Sequence, residues 1–335
     1  MLVLLTPPLD KTVTLCYTKG MKQIKKMPGI PEAAQSEEKA RAFLEATLWL
    51  NGPICPHCKS IDVYRMAAKA GSVKPGRAGL LRCRSCKRQF TVTVGTIFEG
   101  SHVPLHKWLM AIHFMTASKK GISAHQFHRM LGITYKAAWF MCHRIGYAMT
   151  HKSFVGKMDG TVEVDETYVG GKNENRPIGV RFRSDPTKKT PVIALVKREG
   201  DVRAFPIKNA TASTLRASII EHVEKKARII TDDWQAYKPV GKEFGKHETV
   251  NHSALEYVRG DVFTNTAESY FSLLKRGIMG TFHHISREHL AQYCGEFSFR
   301  WNMRGATDTQ RAIAALVGTK GKRLVYSELQ AQGAF

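Results

Sequence analysis

The most regular pattern of apolar and polar positions in this chain is a short β-branched run that ends in two acids and paired glycines. Residues 161–171 open with alternating apolar and acidic side chains at Val162, Glu163, Val164 and Asp165. A period of two predicts a strand with one face on a core, and it places Asp165 near the strand's end. Taken alone, the run also fits an edge strand whose acids are solvated.

Two further acids stand at the ends of predicted elements. Asp232 closes an apolar run that begins at Ala227, and its neighbour Asp233 can take its place in this assignment. Glu268 lies on a helix that opens at Asn265. Three carboxylates so placed can share two Mg²⁺ or Mn²⁺ ions, because these hard cations take oxygen ligands. Two metal ions held side by side stabilise both the attacking and the leaving oxygen of phosphodiester displacement.

The elements of the second half of the chain follow a definite order. A hairpin is predicted at 191–197 and 202–208, after the strand that carries Asp165. A helix follows, then the strand that ends at Asp232, then the helix that bears Glu268. This order predicts an α/β, RNase H-like fold, in which the first and fourth strands lie side by side and bring their acids together.

Two cysteine pairs precede these elements. Cys55 and Cys58 form one Cys-x-x-Cys pair, and Cys83 and Cys86 form another. Two such pairs allow four thiolates to close tetrahedrally on one Zn²⁺, and a site without an open position is structural. The spacing therefore predicts a zinc ribbon, although two unrelated reduced pairs remain an alternative.

Helical periodicity fills the region between the cysteines and the acidic strand. Apolar residues recur on one face of 105–115, and two more helices are predicted at 123–131 and 134–147, joined by a turn at Gly132. Two helices joined by a short glycine turn fit a helix-turn-helix. In that interpretation the second helix contacts DNA through Lys136 and Arg144; packing without DNA contact is the alternative.

The charge of the chain indicates the partner. Its 335 residues carry 51 Lys and Arg against 28 Asp and Glu, a net charge of +23, which favours nucleic acid. No apolar run reaches the ~18 residues of a membrane span. Seven cysteines, four of them paired, are typical of metal ligation in a reducing compartment. We therefore expect a soluble cytoplasmic protein that associates with the nucleoid when bound to DNA.

The chain is expected to divide into five segments. They are a flexible basic arm at 1–35, an N-terminal helix and zinc ribbon at 36–100, a helix-turn-helix-like helical domain at 101–155, an RNase H-like catalytic domain at 156–310, and a C-terminal tail at 311–335.

Five motifs carry a resemblance to a known family. They read VEVDETYVGG, TDDWQAY, VNHS, TNTAESYFSLLKRGIMGTFHH and EFSFRWNMR, behind the double Cys-x-x-Cys ribbon. Together they resemble the zinc-ribbon DDE-type transposases of bacterial insertion sequences, within the ISXO2-like (IS1595) group. The resemblance implies Mg²⁺-dependent cleavage at element ends and joining of the freed 3′-hydroxyl to target DNA. It also implies that Asp165 and Asp232 are the first two metal ligands.

The third ligand is open at this point. The resemblance implies Asn or Glu followed by Lys, which corresponds to Asn265 or Glu268 with Lys275. A carboxylate is the better ligand for Mg²⁺ and favours Glu268. The same two residues also fit a capping box, with Asn265 as N-cap. Lys275 lies about two turns beyond Glu268 on one face, beside Arg276, where both could hold DNA phosphates.

The leading hypothesis is a transposase that binds terminal inverted repeats and acts as a homo-oligomer on DNA. In its reaction, water attacks a phosphodiester at the transposon end, with one metal ion activating the water and the other stabilising the leaving 3′-oxygen. Two alternatives share parts of the pattern. One is a DNA-binding regulator with an inactive transposase-like domain, and the other is a nuclease that only hydrolyses DNA.

Overall fold

The computed structural model describes residues 29–66, 78–150, 156–170, 189–251, 254, 256, 258–327 and 329. The arm expected at 1–35 therefore lies mostly outside the described residues. Within the described part of the chain, no helix is long and apolar enough to cross a membrane.

The described residues form helices and eight strands. The helices are α1 (Ile30–Ala33), α2 (Glu37–Leu48), α3 (Leu105–Ala117), α4 (Ala124–Leu131), α5 (Tyr135–Met149), α6 (Ala212–His222), α7 (Asn265–Gly277), α8 (Leu290–Asn302) and α9 (Asp308–Val317). The strands are β1 (Val63–Arg65), β2 (Leu81–Cys83), β3 (Gln89–Phe90), β4 (Thr161–Val169), β5 (Thr190–Lys197), β6 (Val202–Pro206), β7 (Arg228–Asp232) and β8 (Lys246–Val250). A π-helical turn, Ile278–Phe282, continues α7.

Two compact units divide these elements. The described residues up to 149 cluster with those of 306–329, and residues 150–305 form the second unit. The first unit contains the ribbon sheet β1-β2-β3, whose strands are antiparallel. The second contains a five-stranded sheet in the order β6-β5-β4-β7-β8.

The helices of the first unit begin where the sequence predicts. Ser36 caps α2 by accepting the Lys39 N–H at 3.1 Å, and Ser123 caps α4 by accepting the Gln126 N–H at 3.2 Å. Gly132 ends α4 in the left-handed conformation, with φ +58, which glycine adopts without steric cost. These caps confirm the predicted helix, glycine turn and helix.

The C-terminal segment differs from the expected tail. Helix α9 begins at a capping box formed by Thr307 and Gln310, and it buries Leu316 completely. A Cβ on Gly318 would lie 2.4 Å from the Ala148 carbonyl oxygen, so only glycine allows this approach. The described residues of 306–329 are thus a packed part of the first unit, because α9 has an apolar face to bury.

Strand β4 occupies the centre of the five-stranded sheet. It pairs antiparallel with β5 and parallel with β7, so the solvated edge-strand alternative is wrong. One face of the sheet packs on α7 and α8, where Tyr270 and Phe297 are fully buried. The other face packs on α6 through Val162, Val164 and Leu215. The first and fourth strands of the unit lie side by side, as the element order predicts.

Candidate active site and metal sites

The four paired cysteines come together at one point of the ribbon. Their Sγ atoms all lie within 4.8 Å of one another, with Cys55 and Cys86 at 3.6 Å and Cys58 and Cys83 at 3.5 Å. Tetrahedral Zn²⁺ with Zn–S bonds of about 2.3 Å places its sulfurs about 3.8 Å apart. The thiol cluster therefore fits a structural zinc ion, as the spacing predicts.

Both cysteine pairs fold into the same local turn. The residue after each pair, Lys59 with φ 63 and Lys87 with φ 60, adopts the left-handed conformation. In the second turn the Cys86 N–H points at the Cys83 sulfur, at 3.5 Å. Backbone donors of this kind favour the thiolate, which is the form that binds metal.

Parallel pairing of β4 and β7 brings Asp165 and Asp232 together. The register pairs Glu163 with Ile230, and two more residues along each strand place Asp165 opposite Asp232. Both aspartates also fall on the sheet face that packs on α7, because side chains alternate along a strand. The first and second predicted ligands thus meet where β7 ends beside the middle of β4, whereas the sequence predicts Asp165 near the end of its strand.

The environment of Asp165 is strongly negative. The pKa of Asp165 is raised to about 7, first by burial and then by the charges of Glu166, Asp232 and Glu268. The Glu166 N–H donates to Asp165 Oδ1 at 2.8 Å and acts in the opposite direction. Acids held close together against their own repulsion form a site that a bound cation would stabilise.

Asp232, not Asp233, faces Asp165. The Asp232 charge contributes to the raised pKa of Asp165, and its Oδ1 accepts the Trp234 N–H at 3.2 Å. Asp233 is exposed, and its Oδ2 accepts from Asn251 Nδ2 at 3.4 Å, beyond the end of β8. The alternative assignment of Asp233 thus has no support in the geometry.

Glu268 projects from the first turns of α7 and is exposed. The helix does not begin with the capping box that the sequence allows. Its N-cap is Thr264, which makes no side-chain cap, and Asn265 is already the first helical residue. The N-terminal N–H groups of α7 instead donate to the Glu163 carboxylate of β4, from Thr266 at 3.0 Å and Ala267 at 3.2 Å.

The acids are more widely spread than the thiols. Among the described residues, the cysteines are the one group of three or more candidate ligands whose atoms all lie within 4.8 Å. Two ions in a phosphoryl-transfer site lie about 3.5–4 Å apart, so their ligands span a larger volume than those of one tetrahedral ion. The all-oxygen set of Asp165, Asp232 and Glu268 fits Mg²⁺ or Mn²⁺.

Sequence reasoning missed a contact on the opposite face of β4. The Tyr237 hydroxyl donates to Glu166 Oε2, and the Tyr237 ring is fully buried. Burial and the Glu166 charge raise the pKa of Tyr237 well above its usual value. Since Tyr237 follows Asp232 by one turn, this bond ties the chain after Asp232 to the strand of Asp165.

The predicted DNA contacts divide into exposed and buried residues. Lys275 and Arg276 are exposed on α7, beyond Glu268. Lys136 is exposed near the start of α5, where its Nζ lies 4.6 Å from the Tyr326 ring centroid. All three remain accessible cations, as a phosphate contact requires.

The predicted DNA contact of Arg144 is contradicted by its position in the structure. Its side chain is buried, and it donates from Nε to the Leu324 carbonyl and from Nη2 to the Glu99 carbonyl, each at 3.0 Å. Burial lowers the pKa of its guanidinium. The helical period turns Arg144 toward the core with Met141, so it holds the C-terminal segment and does not face DNA.

Comparisons with known proteins agree with this arrangement. Residues 157–302 match the model of the ISXO2-like transposase domain, and residues 35–89 match that of the transposase zinc-ribbon domain. A protein in the transposable element ISH50 of Halobacterium salinarum is 31% identical over 277 residues. The alignment covers 79% of this chain and 90% of that relative.

Replacing Cys58 with Ser is expected to release the zinc and unfold the ribbon, because three thiolates leave the tetrahedral site open. Metal analysis of the purified protein should show about one equivalent of zinc for the wild type, as a four-thiolate site requires, and substantially less for Cys58→Ser. Cys142→Ser is the control, since Cys142 lies outside the cluster and should leave the zinc content unchanged. A zinc-free wild type would contradict the assignment.

Proposed function

The chain belongs to the ISXO2-like (IS1595) transposase family, and on that premise we propose that it cleaves the ends of its insertion sequence and joins them to target DNA. The observation that carries the proposal is the pairing of Asp165 and Asp232 on neighbouring parallel strands, with Glu268 adding its charge to the same site. The element order and the sheet order β6-β5-β4-β7-β8 support the RNase H-like assignment of this unit.

The proposed site acts on the phosphodiester backbone. Asp165, Asp232 and Glu268 would hold Mg²⁺ or Mn²⁺, which supplies an activated oxygen nucleophile and neutralises charge on the leaving 3′-oxygen. Water attacks the phosphorus at the element end and frees a 3′-hydroxyl. That hydroxyl then attacks a phosphodiester of the target DNA, breaks its bond to the target 3′-oxygen, which leaves as a 3′-hydroxyl, and so joins the element end to the target 5′-phosphate.

The protein's own residues contribute orientation and charge. Asp165 is partly buried at the centre of the sheet, while Glu268 is exposed on α7. The protein therefore covers one side of the proposed site, and the other side is accessible to a DNA strand. Lys275 and Arg276 are exposed on the same helix, and in this proposal they hold phosphates of the bound DNA. Water exclusion on the buried side strengthens the charge interactions there.

Glu268 is favoured over Asn265 as the third ligand. Its charge acts on Asp165, which places it near the aspartates, and a carboxylate binds Mg²⁺ better than an amide does. Glu163 of β4 accepts the N-terminal N–H groups of the helix, the role that the sequence allowed for the Asn265 and Glu268 capping box.

Basic residues of both units are proposed to contact the DNA. The net charge of +23 supports extensive phosphate contact, and Lys136 on α5 is the proposed contact of the helix-turn-helix-like region. We further propose that the protein works as a homo-oligomer on DNA, since a transposon has two ends to be cut and joined.

Asp165→Asn and Asp232→Asn should abolish cleavage and strand transfer while leaving the binding of element ends intact. Each change removes a metal ligand without altering side-chain volume, so we expect a loss of at least about 100-fold. The thermal unfolding temperature in metal-free buffer should stay level or rise, because one repelling charge is gone. The assay uses labelled element ends, Mg²⁺ and target plasmid.

Retention of near wild-type cleavage by either aspartate variant would show that the active site lies elsewhere. Cleaved ends without any joined product in the wild-type protein would favour a nuclease that only hydrolyses DNA. Binding of ends with neither cleavage nor joining would favour a regulator.

Glu268→Gln and Asn265→Ala should separate the two candidates for the third ligand. Glu268→Gln keeps the shape and removes the charge, so activity should fall strongly without a change in the unfolding temperature. Asn265→Ala should retain most activity, since Asn265 is the first helical residue and caps nothing. The opposite pattern, with Asn265→Ala inactive and Glu268→Gln active, would identify Asn265 as the third metal ligand.

DNA affinity should depend steeply on salt, because each neutralised phosphate adds about −0.9 to the slope of log affinity against log salt on duplex DNA. Lys136→Ala should lower the magnitude of that slope by about one. Arg144→Met is the contrasting variant: it should lower the unfolding temperature by leaving two buried carbonyls unpaired, and leave the slope unchanged below that temperature. An unchanged slope in Lys136→Ala would show that Lys136 of α5 does not contact a DNA phosphate.

A further inference from the structure

A second acid of β4, Glu163, is fully buried two residues before Asp165 and on the same face of the strand. Its carboxylate accepts four hydrogen bonds, all within 3.2 Å. The donors are the Thr266 N–H and Thr266 Oγ1, the Ala267 N–H and Arg198 Nε. Both oxygens of this buried carboxylate are hydrogen-bonded, which indicates that the side chain has a structural role.

The first three of these donors belong to α7. The free N–H groups and the dipole at a helix N-terminus favour a negative charge there. Thr264, the N-cap, supplies no side-chain acceptor, so Glu163 takes that role from another strand. The bonded Ala267 N–H is one residue from Glu268, and Glu163 is two residues from Asp165. The link between the two proposed ligands is therefore short and rigid.

Arg198 extends this link to the chain that enters α7. Its guanidinium bonds Glu163 and also donates from Nη2 to the Phe263 carbonyl at 3.1 Å and from Nη1 to the Asp261 carbonyl. It also lies 3.9 Å from the centroid of the Phe263 ring. From β7, Arg228 Nη2 donates to Asp261 Oδ1 at 3.1 Å. Arg198, directly after β5, and Arg228 of β7 thus both hold the segment that sets where α7 begins.

We propose that Glu163 is a positioning residue that sets the distance of Glu268 from Asp165 and Asp232, and thereby the affinity of the site for divalent metal ions. The inference rests on the proposed function, since it takes Glu268 as the third ligand. A contribution of Glu163 to stability alone would leave metal affinity unchanged in any variant that still folds, so the two roles are separable.

The decisive variants are Glu163→Gln and the matched pair Thr266→Val and Thr266→Ser. Both α7 N–H groups donate to Glu163 Oε2, whereas Oε1 accepts from Thr266 Oγ1 and Arg198 Nε. Gln keeps only one carbonyl oxygen, so its amide NH2 must replace one of these acceptors, and Arg198 loses its ion-pair partner. Thr266→Val removes one of the four bonds, the 2.9 Å bond from Oγ1 to Glu163, and keeps the backbone donors. Thr266→Ser restores a hydroxyl. The Val and Ser variants carry the test even if Glu163→Gln does not fold.

The measurement is Mn²⁺ binding to zinc-loaded full-length protein by isothermal titration calorimetry, followed by the Mn²⁺ concentration that gives half-maximal cleavage. Partners that orient metal ligands typically change metal affinity by about 10- to 100-fold. We expect a weakening of that size for Glu163→Gln, a smaller one for Thr266→Val, and wild-type affinity for Thr266→Ser. Cleavage at saturating Mn²⁺ should recover in Thr266→Val, and Asp165→Asn should lack the binding event.

Two results would overturn the inference in different ways. Equal Mn²⁺ dissociation constants in the wild type and in every folded variant would remove the positioning role and leave the proposed function standing. Failure of the wild type to bind Mn²⁺ in a manner that depends on Asp165 would overturn the metal site itself, and the inference with it.

Discussion

The parallel pairing of β4 with β7 is the constraint on which the second unit, residues 150–305, depends. The register of this pairing places Asp165 opposite Asp232. Both strands lie at the centre of the sheet, where burial of the side chains specifies the register strongly. A shift of β4 by one residue would move Asp165 to the α6 face, away from Asp232, and turn Val162 and Val164 away from their core. The apolar alternation that stabilises the sheet thus also fixes where the acids meet.

Glu163 and Asp165 show how one strand face can give two acids opposite roles. Glu163 has Arg198 beside it and the N-terminal donors of α7 around it, so its charge is stabilised within the fold. Asp165 has three acids as neighbours, and its pKa rises to about 7 through burial and their charge. A carboxylate with its partners supplied is stabilised by the fold itself, whereas one held among like charges would be stabilised by a bound cation.

The first unit depends on a different constraint. Its ribbon strands are only two or three residues long, too short to hold together by pairing alone, and the thiol cluster joins both turns. The helices beside it are stabilised by burial of their apolar faces, to which α9 adds Leu316. Arg144 reinforces this packing by bonding carbonyls from two distant segments.

The sequence by itself determined the features that depend on residues close together in the chain. Cysteine spacing predicts the thiol cluster, and caps such as Ser36 and Ser123 mark helix starts correctly. Alternation predicts β4, and the order of elements predicts that the strands of Asp165 and Asp232 are neighbours. These signals are local because hydrogen bonding and amphipathic burial within one element depend on neighbouring residues.

Only the tertiary structure decided which partners distant residues receive. Glu163 bonds Thr266 across 103 positions, a contact that replaced the local capping box inferred for Asn265 and Glu268. Arg144 turned inward to Leu324, 180 positions away, although its place on a basic helix suggested DNA. Such pairs arise from packing between elements, and a buried polar group takes whichever partner packing brings to it.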